Sequence, residues 1–329
     1  MDIGIIIVNY KTAALTVDCL SALAAELGSV EFETIVVDND SQDGSDSEIS
    51  SAIDKHNWSK WASLVPSGKN GGFSYGNNVA IRQFLSLPEP PKYIYLLNSD
   101  TVIRPGAVQA LMTFMDERPK AGIAGSRLEN EDGTGRNSCF QFHNFLTECA
   151  SGFSLNLVSK MLSKWVQPAV IPNASCLKDW VAGASMLIRT DVFYKAGLMD
   201  ESYFLYYEEM DFCLQVQKAG WECWFVPDSR VVHFAGQSSG VNNKNIAPRR
   251  RPKYWFESRR RYFVKNFGKL HAMTADFLWL LGMLTWKLRN LIQRKESKYP
   301  PHFFMDAFAN SVLFQGFEIK KTQNKLETE

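Results

Sequence analysis

Several familiar signatures are missing from this 329-residue chain. Its six cysteines form no C-x-x-C pair and no regular ladder, which favours a reduced, cytosolic protein over a disulfide framework or a zinc site. The start, MDIGIIIVNYK, has an acid at position 2 and a very short apolar run, so a secretion signal is not expected. FLWLLGMLTW at 277–286 is shorter than the roughly 18–20 apolar residues of a membrane-spanning helix.

Two nucleotide-binding signatures are absent as well. The first loop, VNYKTAAL, has no glycine where a dinucleotide-binding domain carries G-x-G-x-x-G, and the chain has no Walker A motif. A dehydrogenase or a P-loop enzyme is therefore disfavoured. The formal net charge of +1 indicates no particular partner, and a hydrophobic fraction of 45% is enough for a buried core.

What the chain does have is a regular alternation of short apolar runs and segments with helical spacing. Strands are predicted at 4–9, 33–38, 62–66 and 93–98, with helices at about 12–27, 45–55 and 74–86. Further elements are predicted at 105–117, 121–126, 179–188, 191–196, 208–219, 222–226 and 230–233, around an irregular insertion at 127–178. This alternation predicts an α/β fold with a mostly parallel sheet flanked by helices.

Polar residues follow the first four predicted strands. They are Asn9, then Asp38, Asn39 and Asp40, then Gly68 to Gly72, and then Asn98, Ser99 and Asp100. Ligands of open parallel sheets bind at the carboxyl ends of the strands, so these groups predict one crevice lined by acids and amides. Ordinary turn chemistry is the alternative, because turns use the same residue types.

Two pairs in this set have i, i+2 spacing, which in an extended segment places both side chains on one side. Asn98 and Asp100 can offer oxygen ligands to Mg²⁺ or Mn²⁺, which would neutralise a diphosphate. Asp38 and Asp40 can accept a hydrogen bond from the ring N–H of uracil or thymine.

Together these segments resemble a known family. VNYK, VVDNDSQDGS, NGGFSYGNN, YIYLLNSDTVI, WVAGASMLIR, FLYYEEMDFCLQVQKAGW and VVHFAGQSS are similar, in this order, to the inverting GT-A glycosyltransferases of family 2. The similarity is greatest to the bacterial rhamnosyltransferase-like branch and covers roughly residues 1–240. It implies a GT-A catalytic domain at 1–240, with a nucleotide-sugar-binding half at 1–125 and an acceptor and catalytic half at 126–240.

The resemblance also implies roles for individual residues. Asn9 and Asp38, with Asp40 nearby, match positions that hold the base and ribose, and Asn70, Gly71 and Gly72 match a loop near the nucleotide. Asp100 matches the metal-binding acid of the family's D-x-D motif, but Asn98 replaces the first acid, so the protein supplies less charge to the metal. His233 matches a histidine that completes the metal or diphosphate site, although a lone histidine at a strand end is otherwise more often structural.

The acids Glu208, Glu209 and Asp211 match the motif that contains the family's catalytic base. Glu209 occupies the position of the base and ranks first, with Glu208 second, because inverting transfer needs a carboxylate that deprotonates the acceptor hydroxyl. Favourable interaction with the helix dipole is the alternative reason for acids here, and Asp211 is expected to be structural. Trp180, Gly183 and Ala184 match the acceptor-side wall, with a core tryptophan as the alternative.

After residue 240 the composition changes. Residues 241–329 are predicted to be a helical, basic and aromatic extension with a frayed polar tail. Nine cations lie among aromatic residues between 249 and 269, and the segment 277–295 has an apolar face with basic ends. This pattern favours a peripheral position on the inner face of the cytoplasmic membrane. Nucleic acid is the competing partner and is not favoured, while a plain docking helix or a homodimer contact is the simplest alternative.

The expected function is transfer of a sugar, best L-rhamnose from dTDP-rhamnose, to a lipid-linked or growing cell-surface polysaccharide with Mg²⁺ or Mn²⁺. The same chemistry with UDP-galactose or UDP-glucose is the near alternative. The acceptor is a glycan or a polyprenyl-diphosphate-linked sugar. A non-catalytic module that binds sugar nucleotides or glycans is the alternative from another class.

Overall fold

The computed structural model describes residues 1–162, 170–234, 250–294 and 299–324. The strands are β1 Ile3–Asn9, β2 Phe32–Asp38, β3 Ala62–Pro66, β4 Tyr93–Asn98, β5 Thr101–Ile103, β6 Ala121–Glu129, β7 Gly135–Arg136, β8 Cys139–Phe140, β9 Cys176–Leu177, β10 Trp180–Val181, β11 Ser185–Arg189 and β12 Glu222–His233. The helices are α1 Ala13–Ala24, α2 Ser45–Lys55, α3 Gly72–Leu85, α4 Ala107–Asp116, α5 Phe145–Phe153, α6 Asn156–Met161, α7 Asp191–Ala196, α8 Glu208–Lys218, α9 Lys253–Gln293, α10 Phe303–Asn310 and α11 Val312–Gln315.

The main sheet has the order β3-β2-β1-β4-β11-β6-β12-β5. The four strands β3, β2, β1 and β4 are mutually parallel, whereas β11 runs antiparallel to both of its neighbours, β4 and β6. The predicted mostly parallel α/β sheet is confirmed. Because β11 enters against β4, residues that precede β11 lie beside the carboxyl end of β4.

Apolar side chains cover both faces of the sheet. One layer packs α1, α2 and α4 against it through residues such as Leu20, Ile49 and Leu111. The other packs α3 and α8 through residues such as Phe84 and Phe212. The strands alternate between these two layers, which explains why β1 and β4 are almost continuously apolar.

Two sequence predictions about regularity are wrong. Residues 127–178 are not simply irregular, since β6 continues to Glu129 and α5 begins at Phe145. The side chain of Asn144, the N-cap of α5, accepts hydrogen bonds from the amides of Leu146 and Thr147. The segments 222–226 and 230–233 belong to one strand, β12, in which the register shifts between Val226 and Arg230.

The predicted helical C-terminal region is confirmed by α9, whose path breaks at Gly268 (φ 81°, ψ 178°). The tail is not frayed throughout, because the amides of Leu198 and Glu201 donate to the carbonyls of Asn324 and Gln323 at 2.9 and 3.0 Å. The predicted boundary at residue 240 lies outside the described residues.

Three of the cations between 250 and 269 are buried or mostly buried in ion pairs, so they do not belong to a free basic surface, which corrects part of the sequence interpretation. Arg259 and Arg261 are each 4% exposed and pair with buried carboxylates. Lys265 bridges Asp200 and Asp211 at 2.9 and 2.6 Å. These residues hold α9 on the sheet domain, so the charges serve the fold.

Candidate active site

The crevice begins at Asn9, the last residue of β1. Its side chain is fully buried; the amide donates to Asp38 Oδ1 at 2.7 Å, and its oxygen accepts from Thr12 and Thr16. Asn9 therefore has no free polar group to offer a ligand. It holds the carboxylate of Asp38 in place at the end of β2.

Asp38 is 7% exposed, and Ser41 satisfies both of its oxygens through a hydroxyl at 2.6 Å and an amide at 3.0 Å. Asp40 has a positive φ of 59° and accepts from Gln42. The chain is thus not extended at Asp40, so strand geometry does not place Asp38 and Asp40 on one side as expected from their spacing.

Asn39 joins the second strand end to the glycine loop. Its amide donates to Asn70 Oδ1 at 3.1 Å and to the carbonyl of Gly72 at 3.2 Å, while its oxygen accepts from Ser67. Sequence reasoning placed Asn39 at the crevice but assigned it no role. An amide has both a donor and an acceptor, and this bridge uses both.

Gly72 begins α3 at φ 86° and lies against the segment that leads into α8. A Cβ at this position would lie 1.8 Å from the carbonyl oxygen of Phe204, and the amide of Phe73 donates to that oxygen at 3.0 Å. Only glycine fits both the backbone conformation and this approach. The loop 70–72 is therefore coupled to the segment carrying the acids.

Asn98, Asp100 and His233 lie together at the carboxyl end of β4. His233 Nε2 is 3.2 Å from Asp100 Oδ1, and the two side chains are 15% and 8% exposed. Asn98 and Asp100 are separated by a turn, so their proximity does not come from an extended segment as the sequence argument assumed. The hydroxyl of Ser99 contacts that of Thr12 at 3.0 Å, which ties this turn to the end of β1.

Glu209 lies beside the entrance to β11. Its Oε1 is 3.5 Å from the amide nitrogen of Gly183, and a Cβ on Gly183 would lie 2.9 Å from Glu209 Cγ. The amide of Asn98 donates to the carbonyl of Ala184 at 3.0 Å. Glu209 therefore approaches the same strand end as Asn98, although the two are far apart in sequence.

Glu208 and Glu209 differ in their surroundings. Glu208 is 3% exposed and its Oε2 has no hydrogen-bond partner, whereas Glu209 is partly exposed. Burial and the neighbouring Glu209 raise the pKa of Glu208 well above its usual range. Burial also raises the pKa of Glu209, although the Gly183 amide opposes this.

The remaining acid, Asp211, faces α9. It accepts from Lys265 Nζ and Asn266 Nδ2, both at 2.6 Å, and is 2% exposed. This arrangement agrees with its predicted structural role. Trp180 stacks on Phe140 with ring centres 4.3 Å apart, and its indole N–H donates to the carbonyl of Gln141.

A divalent cation at this site would find two adjacent donors, Asp100 and His233. The described residues contain no group of three or more His, Cys, Asp or Glu side chains placed to hold a metal. Mg²⁺ and Mn²⁺ commonly bind through one or two carboxylates together with substrate phosphates and water. The residues present therefore fit a cation that the ligand helps to hold.

The sheet order, the antiparallel β11 and the polar groups at the strand ends define a GT-A fold, the class in which a nucleotide-sugar site lies at the carboxyl edge of such a sheet. Residues 93–309 match the family model described as Glycosyl transferase family group 2, and residues 4–163 match Glycosyl transferase family 2. The chain belongs to the family 2 glycosyltransferases, and the resemblance seen in the sequence is confirmed.

Two curated rhamnosyltransferases are similar to part of the chain. It is 27% identical over 188 residues to the N-acetylglucosaminyl-diphospho-decaprenol L-rhamnosyltransferase of Mycobacterium tuberculosis, covering 54% of this chain and 60% of that protein. It is 28% identical over 175 residues to the rhamnosyltransferase WbbL of Escherichia coli K12, covering 51% and 63%. The chain thus spans only about 60% of the length of these curated relatives.

A solved structure with a similar fold is the mannosyltransferase PcManGT from Pyrobaculum calidifontis, in complex with GDP-Man and Mn²⁺. The TM-score is 0.55 at 14% identity, and the match covers 96% of this chain and 81% of that one. At this identity the likeness concerns the fold. Among the helices of the described ranges, none has the length and apolar character to traverse a bilayer.

Proposed function

We propose that this protein transfers a sugar with inversion from a nucleotide-sugar donor to a glycan or polyprenyl-diphosphate-linked acceptor for cell-surface polysaccharide synthesis. The observation that carries the proposal is Glu209, a partly exposed carboxylate held beside Gly183 at the carboxyl end of β4. The rhamnosyltransferase names of the relatives favour L-rhamnose from dTDP-rhamnose as the donor. UDP-galactose or UDP-glucose is the alternative donor.

In this mechanism Glu209 takes the proton from the acceptor hydroxyl as that oxygen attacks the anomeric carbon, on the face opposite the leaving diphosphate. Its raised pKa makes it a better proton acceptor than an ordinary glutamate. Burial and the adjacent Glu209 raise the pKa of Glu208 well above its usual range, which favours the neutral form of Glu208 and leaves Glu209 as the proposed proton acceptor. The long side chain of Glu209 is accommodated because residue 183 lacks a Cβ.

The donor would lie along the edge formed by Asp38, Asn70 to Gly72 and Asn98. Asn9 and Asn39 fix these groups by hydrogen bonds, and Asp40 is the acid of this edge that is nearest to solvent. Asp100 and His233 would hold Mg²⁺ or Mn²⁺, which neutralises charge on the diphosphate when bound. We assign the donor half to residues 1–125, the acceptor and base half to 126–240, and Trp180, Gly183 and Ala184 to the acceptor side.

We further propose that the second part of α9 rests on the inner face of the cytoplasmic membrane. Between residues 270 and 284 the exposed side chains of α9 are all apolar, with Leu270, Phe277 and Leu284 at 77%, 56% and 42% exposure. Cations flank this stripe at Lys269 and Lys287, and the only acid of α9 after Gly268, Asp276, is buried. Such a pattern suits an anionic lipid surface better than a second copy of the chain.

Donor turnover tests the catalytic proposal. Hydrolysis of dTDP-rhamnose, UDP-galactose and UDP-glucose with Mg²⁺ or Mn²⁺ is measured for the wild type, Glu209→Gln and the remote control Glu117→Gln. We expect a loss of about 10²- to 10⁴-fold for Glu209→Gln only. Donor binding without turnover of any donor by the wild type would instead indicate a non-catalytic binding module.

Membrane binding is tested by sedimentation with anionic vesicles. Because Arg259, Arg261 and Lys265 hold the core together, deleting the C-terminal region is unsuitable, and point variants are needed. Phe277→Ser combined with Leu284→Ser should release the protein, while Leu87→Ser, an exposed leucine elsewhere, should not. If the variant still sediments but becomes monomeric in size-exclusion chromatography, the stripe is a dimer contact.

A further inference from the structure

A second pocket is lined in part by Ser202 and Phe204 of the segment that precedes the acids. It has a volume of about 350 Å³ and lies between that segment, the first turns of α9 and residues near the C-terminus. Its walls include Phe204, Tyr254, Ser258, Arg260 and Lys320. The volume falls at the lower end of the range of small-molecule sites.

Aromatic rings form one wall of this pocket. Phe204 and Tyr254 have ring centres 5.2 Å apart, and Tyr206 stacks on Tyr254 at 6.1 Å with an interplanar angle of 17°. Phe204 is 39% exposed although its backbone is held by Phe73. Partly exposed rings with a polar edge suit the apolar face of a sugar ring, which also presents hydroxyl groups.

Arg260 is the half-buried cation of the pocket, whereas Lys320 is exposed. Its neighbours in sequence, Arg259 and Arg261, each pair with buried carboxylates, as does Lys265. Arg260 makes no ion pair within the described ranges, and its Nε is buried without a hydrogen-bond partner. The half-buried guanidinium of Arg260 thus lies beside cations that are already paired with carboxylates. Its planar set of N–H donors is suited to an anion such as phosphate.

The other polar groups of the lining have protein partners or face solvent. Ser258 donates to the carbonyl of Leu205 at 3.0 Å, and the carboxylate of Glu257 pairs with Lys253 at 3.0 Å. Glu318 is exposed at the rim and would disfavour a highly charged ligand. The chemistry left for recognition is therefore one guanidinium beside an aromatic wall.

The pocket is connected to the proposed reaction centre through its aromatic wall. The carbonyl of Phe204 accepts from the amide of Phe73 at the start of α3, and Tyr206 lies three residues before Glu209, just ahead of α8. Tyr206 and Tyr207 both have positive φ, 70° and 68°, which is rare for bulky residues and is often found at functional sites. This conformation turns the chain so that Tyr206 stacks on Tyr254 while Glu209 approaches Gly183.

We propose that this pocket is an acceptor subsite for a phosphorylated sugar, with the ring against Tyr254 and Phe204 and the phosphate on Arg260. The proposal rests on the proposed glycosyltransferase function, since it assigns the acceptor of that reaction. It adds a determinant of acceptor choice on α9, separate from the wall formed by Trp180 and Gly183.

Isothermal titration with three probes tests the subsite: N-acetylglucosamine 1-phosphate, N-acetylglucosamine and inorganic phosphate. We expect the wild type to bind the phosphosugar at least tenfold more tightly than either of the other two. Arg260→Ala and Tyr254→Ala should each weaken phosphosugar binding about tenfold or more. Lys55→Ala, which removes one exposed charge on α2, should leave it unchanged, and no variant should alter the affinity for the nucleotide-sugar donor.

Unchanged phosphosugar affinity in Arg260→Ala would overturn the proposal, as would binding of inorganic phosphate as tightly as the phosphosugar. If Arg260→Ala does not fold, Arg260→Lys decides, because a lysine keeps the charge but loses the bidentate geometry and should weaken binding severalfold. Donor hydrolysis by the wild type is measured in parallel. Hydrolysis without phosphosugar binding removes the subsite and leaves the transferase proposal standing.

Discussion

Replacing Arg259 by methionine should destabilise the protein strongly at neutral pH and much less in acid. Arg259 donates to Glu148 Oε2 through Nε at 3.0 Å and Nη2 at 2.7 Å, and it also pairs with Asp276. All three side chains are at least 94% buried. Removing one partner from a buried ion pair typically costs about 3–5 kcal/mol, because the remaining charge stays buried without compensation.

The pKa of Glu148 gives an independent magnitude. Burial alone would raise it, but Arg259 and His143 more than offset this and lower the pKa from 4.5 to about 2. At about 1.4 kcal/mol per tenfold change in proton affinity, this corresponds to about 3 kcal/mol at neutral pH. A lowered pKa stabilises the fold above the unfolded value near 4.3, and this contribution is lost as the pH falls towards 2.

In Arg259→Met the sign reverses. We expect burial to raise the pKa of Glu148 in the folded variant, which penalises folding at neutral pH and relieves the penalty once the carboxyl is protonated in both states. Urea unfolding followed by far-UV circular dichroism at pH 7 and pH 4 measures the difference. Lys253→Met, at an exposed pair, serves as the control and should change stability by less than about 1 kcal/mol. A penalty for Arg259→Met below about 1 kcal/mol at pH 7, or one that does not shrink at pH 4, would refute this reasoning.

Four further outcomes are expected at the active site. We propose the ionised form of Glu209 as the base, and burial raises its pKa, so kcat should fall on acidification at a pH above the ordinary glutamate value. A limb at or below about 4.3 in the pH–rate profile would contradict this. In steady-state kinetics, kcat should fall by less than about tenfold in Glu208→Gln and by about 10²-fold or more in Glu209→Gln. The reverse order would make Glu208 the base. Gly183→Ala should lower kcat and leave the midpoint of unfolding unchanged. The added Cβ would lie 2.9 Å from Glu209 Cγ and 3.0 Å from the Phe73 ring, so it would displace the Glu209 side chain. A wild-type kcat in this variant would show that Glu209 has room to move. Asn9→Ala should reduce the free energy of unfolding by about 1–3 kcal/mol, because the buried carboxylate of Asp38 loses the hydrogen bond from the Asn9 amide. It should also weaken binding of the nucleotide-sugar in calorimetry. Wild-type affinity for the nucleotide-sugar would speak against a role for Asp38 in its binding site.

The alternation of strands and helices could be predicted well because it depends on local patterns. The bounds of β3, β4, α2 and α7 are those expected from the sequence, since each is a short apolar or amphipathic run between turn residues. The bounds of an element were predicted less well where they depend on pairing with a segment that is distant in sequence. Glu129 lies within β6 because that strand pairs with β12, and nothing near residue 127 signals this.

The amino-acid sequence by itself determined the α/β class and indicated the strand-end crevice and the acids among which we propose the base, because apolar periodicity and strand-end polar residues are local properties. Only the tertiary structure decided that Asn9 supports Asp38, that Gly183 makes room for Glu209, and that Asp211 of α8 pairs with Lys265 and Asn266 of α9. It also assigned Arg259 to Glu148, 111 residues away, while Arg260 makes no ion pair with any part of the chain that the structure describes. Such pairings depend on how helices pack across the sheet, and side chains adjacent in sequence point to different partners because successive helical residues are rotated by about 100°.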